Sequence, residues 1–255
     1  MPVLADLYYH VYEGSEEGLR PPVVLIHGAG GSHLYWPSEV RRLAGYRMYA
    51  LDLPGHGKSG GCGQQSVPAY AGVVLEWLEA IGLRRAVLVG HSMGSAIAMS
   101  LALDHPEQVL GLCLVGAGAR LRVAPALLES ASSQSTFYTA VETVVCWSFS
   151  SKAEPRLKEL AAKRMAETRQ SVLYGDFLAC DAFDETERVS QIRKPSLVMC
   201  GVDDKMTPLR YAQFLADSLP NATLKTIPDA GHMVMLEQPQ AVAKSLADFL
   251  VRLPY

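Results

Sequence analysis

The stretch that decides the fold is LVGHSMGSA, Leu88–Ala96. Ser92 has Gly90 two residues before it and Gly94 two after it, directly behind the apolar run Ala86–Val89. The segment that follows, SMGSAIAMSLALDHP, is small and apolar nearly all round and ends at Pro106, which reads as a buried helix. A strand that enters a helix through so short a bend must turn sharply, and glycines let the two elements approach closely. A serine there is either an ordinary turn residue or a nucleophile held above a helix N-terminus, where backbone N–H groups favour negative charge. G-x-S-x-G alone is a weak signal; a strand before it and a helix after it favour the nucleophile.

Outward from that bend, short apolar runs alternate with longer helical patterns. PVVLIHG (Pro22–Gly28), YRMYALD (Tyr46–Asp52), AVLVGHS (Ala86–Ser92), LGLCLVG (Leu110–Gly116), SLVMCG (Ser196–Gly201) and ATLKTIP (Ala222–Pro228) read as strands. Most alternate little, as expected of parallel strands covered on both faces. VLADLYYHVYEG, from Val3, alternates more and suits an antiparallel edge strand. Between the strands, residues 66–83 predict a helix with Ser66 as N-cap, Pro68 in the first turn, and Val74, Leu75, Leu78 and Ile81 on one face. Residues 208–220 and 239–253 predict two more helices, each opening on proline. The alternation implies an α/β fold with a doubly wound sheet.

One region breaks the rhythm. From Ala119 to Ile192 no buried strand is evident, and residues 125–149 and 154–180 read as helical. A bare loop of that length is improbable, so 119–192 is expected to be a helical cap inserted in a core domain made of 1–118 and 193–255. Its aromatic and apolar side chains, among them Phe137, Tyr138, Trp147, Phe149, Leu173, Tyr174, Phe177 and Phe183, should mostly pack the lid, with a minority lining a pocket over Ser92.

Composition narrows the function. The 255 residues carry a formal charge of -3, so no electrostatic footprint points to nucleic acid or an anionic membrane. Half the residues are hydrophobic, enough for a large core. The five cysteines are scattered without a CxxC pair, which favours free thiols over a zinc site or disulfide framework and suits a cytoplasmic protein. The N-terminus lacks the basic and apolar regions of a signal peptide, and no apolar run would span a bilayer.

A serine nucleophile needs a base, and the base an orienting acid. His232, in DAGHMVMLEQP after the last predicted strand, comes to the same C-terminal sheet edge as Ser92. Asp203 and Asp204 directly follow another strand, giving the chain order Ser, Asp, His expected of α/β-hydrolases. Composition does not choose between the two aspartates. His27, His56 and His91 each adjoin a glycine and read as structural hydrogen-bonders, since no metal-ligand spacing occurs. HGAGGSH has His33 where a dinucleotide fingerprint wants its third glycine, and GHGKSG has Asp52 where a P-loop wants its first.

Taken together, HGAGGS, LDLPGHGKSG, GHSMG, GVDDKMTP and AGHMVMLEQP, in this order over nearly the whole chain, resemble the α/β-hydrolase superfamily, in particular its small cap-bearing serine esterases and lactonases. The resemblance implies a mostly parallel central sheet with helices on both faces and a helical cap insertion. It implies Ser92, Asp204 and His232 as the catalytic triad, Asp204 being chosen by the family's G-x-x-D spacing from Gly201. It implies the backbone amides of Ala29 and Met93 as the oxyanion hole. No cofactor and no metal is expected.

The absence of an Arg or Lys cluster in the lid favours an uncharged ester of short to medium acyl chain, cleaved through an acyl-enzyme. Lactone opening (acyl-homoserine lactones included), carbon–carbon bond hydrolysis and cofactor-free perhydrolysis use the same triad and stand as alternatives. A ligand-binding receptor on the same fold is the non-enzymatic one. The expected partner is a small-molecule ester or lactone, with no nucleic acid and no membrane.

Overall fold

The computed structural model describes residues 3–4, 6–13 and 20–254. The six expected strands are present, as β3 (Val23–Ile26), β4 (Met48–Leu51), β5 (Ala86–His91), β6 (Val109–Val115), β7 (Ser196–Gly201) and β8 (Ala222–Ile227). The expected edge strand is instead two, β1 (Val3–Leu4) and β2 (Leu7–Tyr12), paired antiparallel about Asp6, whose φ is 59°. β2 also runs antiparallel to β4, and every later pairing is parallel. The strand order is β1-β2-β4-β3-β5-β6-β7-β8. The order reverses at β3, which has β4 on one side and β5 on the other. Open α/β sheets form their crevice at such a point, beyond the carboxyl ends of the strands.

Alternate side chains of the central strands feed two cores. Val24, Ile26 and Leu88 face one; Val23, Leu25, Val87 and Val89 face the other. The first is covered by α2 (Val67–Ala80), α3 (Met93–Asp104) and α8 (Leu209–Ser218). The second is covered by α1 (Ser38–Arg41), the short α9 (Val234–Glu237) and α10 (Pro239–Val251). β8 lies at the sheet edge and alternates between half-buried and exposed positions along most of its length.

Ser66 caps α2 by accepting from the Ala69 amide at 3.3 Å, a contribution of about 1 kcal/mol. The buried face of α2 is Tyr70, Val74, Trp77 and Leu78; the expected Leu75 and Ile81 are only half-buried. The two large aromatics meet the sheet and rotate the stripe towards themselves. Trp77 stacks edge-on to Tyr9 and Tyr49 of β2 and β4. In α3 every residue from Met93 to Ala102 is buried, because the helix lies between the sheet and α2.

Between β6 and β7 lie four helices rather than two long ones: α4 (Pro125–Ala131), α5 (Phe137–Ser148), α6 (Pro155–Ala166) and α7 (Gln170–Ala182). The serine-rich 132–136 and the short segment 167–169 break them. They share an apolar cluster of their own, including Leu127, Phe137, Val144, Met165 and Phe177. The chain enters and leaves this insertion side by side, through an antiparallel bridge between Arg120 and Asp184.

Candidate active site

Ser92 joins β5 to α3 with φ 53° and ψ -117°. A side-chain-bearing residue takes such angles at a cost of about 1–3 kcal/mol and only where its surroundings impose them. The Ser92 amide donates to Val115 O at 2.9 Å, and Ser92 O accepts from the Ser95 amide at 2.8 Å. Ser95, unremarked in the motif reading, also braces the turn: its hydroxyl donates to Gly90 O at 2.7 Å and accepts from the Val115 amide at 3.2 Å. The flanking glycines are required by contact. A Cβ on Gly90 would lie 2.2 Å from Gly94 O, and one on Gly94 would lie 2.2 Å from Ile26 O.

Met93 is the first residue of α3, so its N–H has no partner within the helix. The loop after β3 brings up the Ala29 amide, which has no acceptor among the described residues. Gly28 O accepts from the Gly31 amide (3.1 Å) and from Nδ1 of His27 (2.8 Å). The peptide is planar and trans, so anchoring Gly28 O aims the Ala29 N–H the opposite way. His27 Nε2 in turn accepts from the Leu53 amide at 3.0 Å. Burial, with the neighbouring His56 charge, lowers the His27 pKa to about 4, which keeps this ring neutral.

His232 and Asp204 meet at the ends of β8 and β7. Asp204 Oδ2 lies 2.9 Å from Nδ1 of His232 and accepts from the Thr207 hydroxyl at 2.8 Å. Its other oxygen accepts from the Met206 and Thr207 amides at 2.9 and 2.8 Å. Burial pushes this carboxyl upward, but the adjacent imidazole and these donors outweigh it and hold the pKa below the usual aspartate value. Asp203 is exposed, and its amide donates to Ala230 O. The two loops touch so closely that a Cβ on Gly201 would lie 2.2 Å from Gly231 O.

His91 adjoins Ser92 in sequence but is turned to a structural task. Its Nε2 donates to His232 O at 3.0 Å, and burial together with the His232 charge lowers its pKa to about 3.

Ser92, His232 and Ala29 open on one cavity of about 210 Å³. Leu127, Val144, Trp147, Met165 and Phe177 of residues 119–192 line it, together with Tyr211 and Met233 from outside that stretch. Of the aromatics expected in the lid, Trp147 and Phe177 line this cavity. Phe137, Phe149 and Phe183 are buried in packing, and Tyr138 is exposed. Two cations reach the lining, Arg122 and Lys205. Arg122 is held by Asp181 O and the Asp184 carboxylate, while Lys205 is exposed. Among the described residues no group of three His, Cys, Asp or Glu converges as a metal site.

Two further buried carboxylates, to which no motif assigns a role, hold the loops around the site. Asp52 accepts from His33 through both its amide and Nδ1, and from the Lys58 amide. Asp176, on α7, accepts from the Gly30 amide (2.8 Å), His56 Nε2 (2.8 Å) and the Tyr70 hydroxyl (2.5 Å). His56 Nδ1 also lies 3.0 Å from Pro54 O, so both its ring nitrogens face acceptors. Burial opposes its charge, but Asp176 outweighs burial and raises its pKa. A lone aspartate amid QSVLYGDFLAC carries no spacing signal that would have singled it out.

A parallel α/β sheet with a serine elbow at its switch point defines a class of hydrolase-type folds, and the sequence agrees. Residues 23–245 match the alpha/beta hydrolase family, to which the chain belongs. It is 30% identical to a putative carbamate hydrolase, RutD, of Variovorax paradoxus, over 96% of both chains. It is similar in structure to a thermophilic esterase, with 35% identity, a TM-score of 0.82, and coverage of 96% of this chain and 94% of that one. The fold also matches the enol-lactonase of Burkholderia xenovorans LB400, with a TM-score of 0.89 at 24% identity over 96% of both chains. Family and relatives support hydrolase activity. No helix among the described residues is long and apolar enough to cross a membrane.

Proposed function

We propose that this protein is a serine carboxylic ester hydrolase, acting on esters of short to medium acyl chain through an acyl-enzyme. The observation that carries this reading is the convergence of a strained serine and a carboxylate-held histidine on one largely apolar cavity. His232 accepts the Ser92 proton as the hydroxyl oxygen attacks the ester carbonyl. Asp204 keeps the second ring proton on Nδ1 and stabilises the imidazolium. The Ala29 and Met93 amides take the oxyanion, each such donor being worth a few kcal/mol in the transition state. The imidazolium then protonates the departing alkoxide. Water, deprotonated by the same ring, returns the serine and releases the acid.

Residues 119–192 act in this reading as a cap over Ser92, supported by the separate apolar cluster of α4–α7 and its contribution to the cavity wall. The five cysteines among the described residues are all free thiols, in keeping with a cytoplasmic setting. A lactone or carbamate carbonyl would meet the same nucleophile, so the test is a substrate panel. Purified protein is assayed on p-nitrophenyl acetate, butyrate and octanoate, on lactones, and on an aryl carbamate, with Ser92→Ala alongside. Ester turnover that is lost in a folded Ser92→Ala protein is expected. Full activity in that variant, or no labelling of Ser92 by a fluorophosphonate, would overturn the reading.

A further inference from the structure

Gly30, the residue after the proposed oxyanion donor Ala29, is gripped from four directions, three of them by the helical insertion. Its amide donates to Asp176 Oδ2 at 2.8 Å. Its carbonyl accepts from the Thr168 hydroxyl at 3.3 Å and, from the core, from Tyr35 OH at 3.4 Å. Its Cα faces α6 and α7 so closely that a Cβ would lie 2.8 Å from Leu173 Cδ1 and 3.1 Å from Met165 Cγ. Gly30 holds φ 61°, a left-handed conformation open to glycine without penalty.

From this we infer that Asp176 and Thr168 are positioning residues for the oxyanion hole: Asp176 holds the Ala29–Gly30 peptide that follows the Ala29 amide, and Thr168 holds the Gly30–Gly31 peptide beyond it. Two anchors flank that amide. Gly28 O, held by His27 and the Gly31 amide, fixes the peptide plane that contains the Ala29 N–H. The Gly30 amide, held by Asp176, fixes the next plane. With both planes held, the φ and ψ of Ala29 have little freedom.

Asp176 suits this task because it is itself fixed. It is fully buried, and three donors converge on its two oxygens, two of them from core residues His56 and Tyr70. An ionised acceptor forms a shorter and stronger bond to a backbone N–H than a neutral one. The insertion therefore does more than roof the cavity: the hole has its working shape only when α6 and α7 are docked on the core. An oxyanion donor misplaced by a fraction of an ångström loses value in the transition state while ground-state binding by the apolar walls is kept.

The inference rests on the esterase reading, and the experiment separates the two. Wild type, Ser92→Ala, Asp176→Asn and Thr168→Val are purified and their folding checked by circular dichroism and thermal melting. Each is assayed for kcat and KM on p-nitrophenyl butyrate, for inhibition by an alkyl boronic acid that forms a tetrahedral adduct, and for fluorophosphonate labelling. Asp176→Asn is expected to lower kcat at least tenfold with KM within threefold of wild type, and to weaken the boronic acid by the same factor. Thr168→Val is expected to lower kcat about threefold in the same pattern. A folded Asp176→Asn protein with kcat within twofold of wild type overturns the inference, as does a rise in KM at constant kcat. Should Asp176→Asn not fold, Thr168→Val decides: unchanged kcat and boronic acid affinity overturn the inference. Failure of the wild type to label at Ser92 overturns the esterase reading and this inference with it.

Discussion

Nδ1 of His232 lies 2.9 Å from Oδ2 of Asp204, and the Thr207 hydroxyl donates to that same oxygen at 2.8 Å. The carboxylate is thus oriented by groups of its own loop before it meets the imidazole. Asp204→Asn would keep the shape but present a donor to Nδ1 in place of an acceptor, favouring the wrong tautomer. Ester kcat is expected to fall by roughly 10³–10⁴-fold. Asp203→Asn, at an exposed position, should leave kcat within about twofold. Equal losses in the two variants would reverse the assignment of the acid.

Two buried imidazoles make the fold sensitive to acid. His27 and His91 have pKa values lowered to about 4 and about 3, against 6.5 for a free ring. Their folded values are depressed, so the unfolded chain binds more protons between pH 6.5 and about 4 and stability rises with pH across that window. His56 works in the opposite sense: its folded pKa is raised, and its contribution is lost as pH rises through that value. With two rings against one, thermal melting is expected at a clearly lower temperature at pH 4.5 than at pH 6.5. A flat melting profile over this range would contradict the neutral state assigned to His27 and His91.

The glycines of the elbow are predicted to tolerate nothing larger. Gly94→Ala would place a methyl carbon 2.2 Å from Ile26 O, a backbone atom of β3 that cannot yield without moving the sheet. Loss of soluble protein, or of Ser92 labelling in whatever folds, is expected. Gly72→Ala is the control: nothing lies within 4 Å of a Cβ there, and alanine should raise stability by roughly 0.5–1 kcal/mol within α2. Equal tolerance of both changes would contradict the tight approach of β3, β5 and α3.

Trp147 stands at the cavity wall while still 36% exposed. Trp147→Ala should therefore cost less stability than truncation of the buried Phe177, while widening the acyl site. The ratio of kcat/KM for octanoate over butyrate p-nitrophenyl esters is expected to rise severalfold, at about 0.8 kcal/mol for each methylene newly accommodated. An unchanged chain-length profile would mean that the acyl group does not pass this side chain.

Much of the architecture is written in local pattern. Apolar runs of four to seven residues mark β3 to β7, and the small, mostly apolar Met93–Ala102 announces a helix covered on all sides. Where the structure departs from the local pattern, packing overrules it. Leu75 and Ile81 have helical spacing with Val74, yet Trp77 and Tyr70 are larger and the helix turns to bury them. Asp6 bends the first segment into a hairpin that alternation alone could not reveal. Breaks at 132–136 and 167–169 turned two apparent long helices into four.

By itself the sequence determined the α/β alternation, the bend at Ser92 and the chain order serine, aspartate pair, histidine, because each depends on residue type at short range or on chain order. Only the tertiary structure decided the rest. It set Asp204 against His232 and left Asp203 outside, turned His91 away to the His232 carbonyl, and carried Asp176 across 146 residues of chain to the Gly30 amide. A buried carboxylate is stable only where donors converge on it. That convergence comes from elements brought together by the closing of two cores around one sheet, which no local window of sequence records.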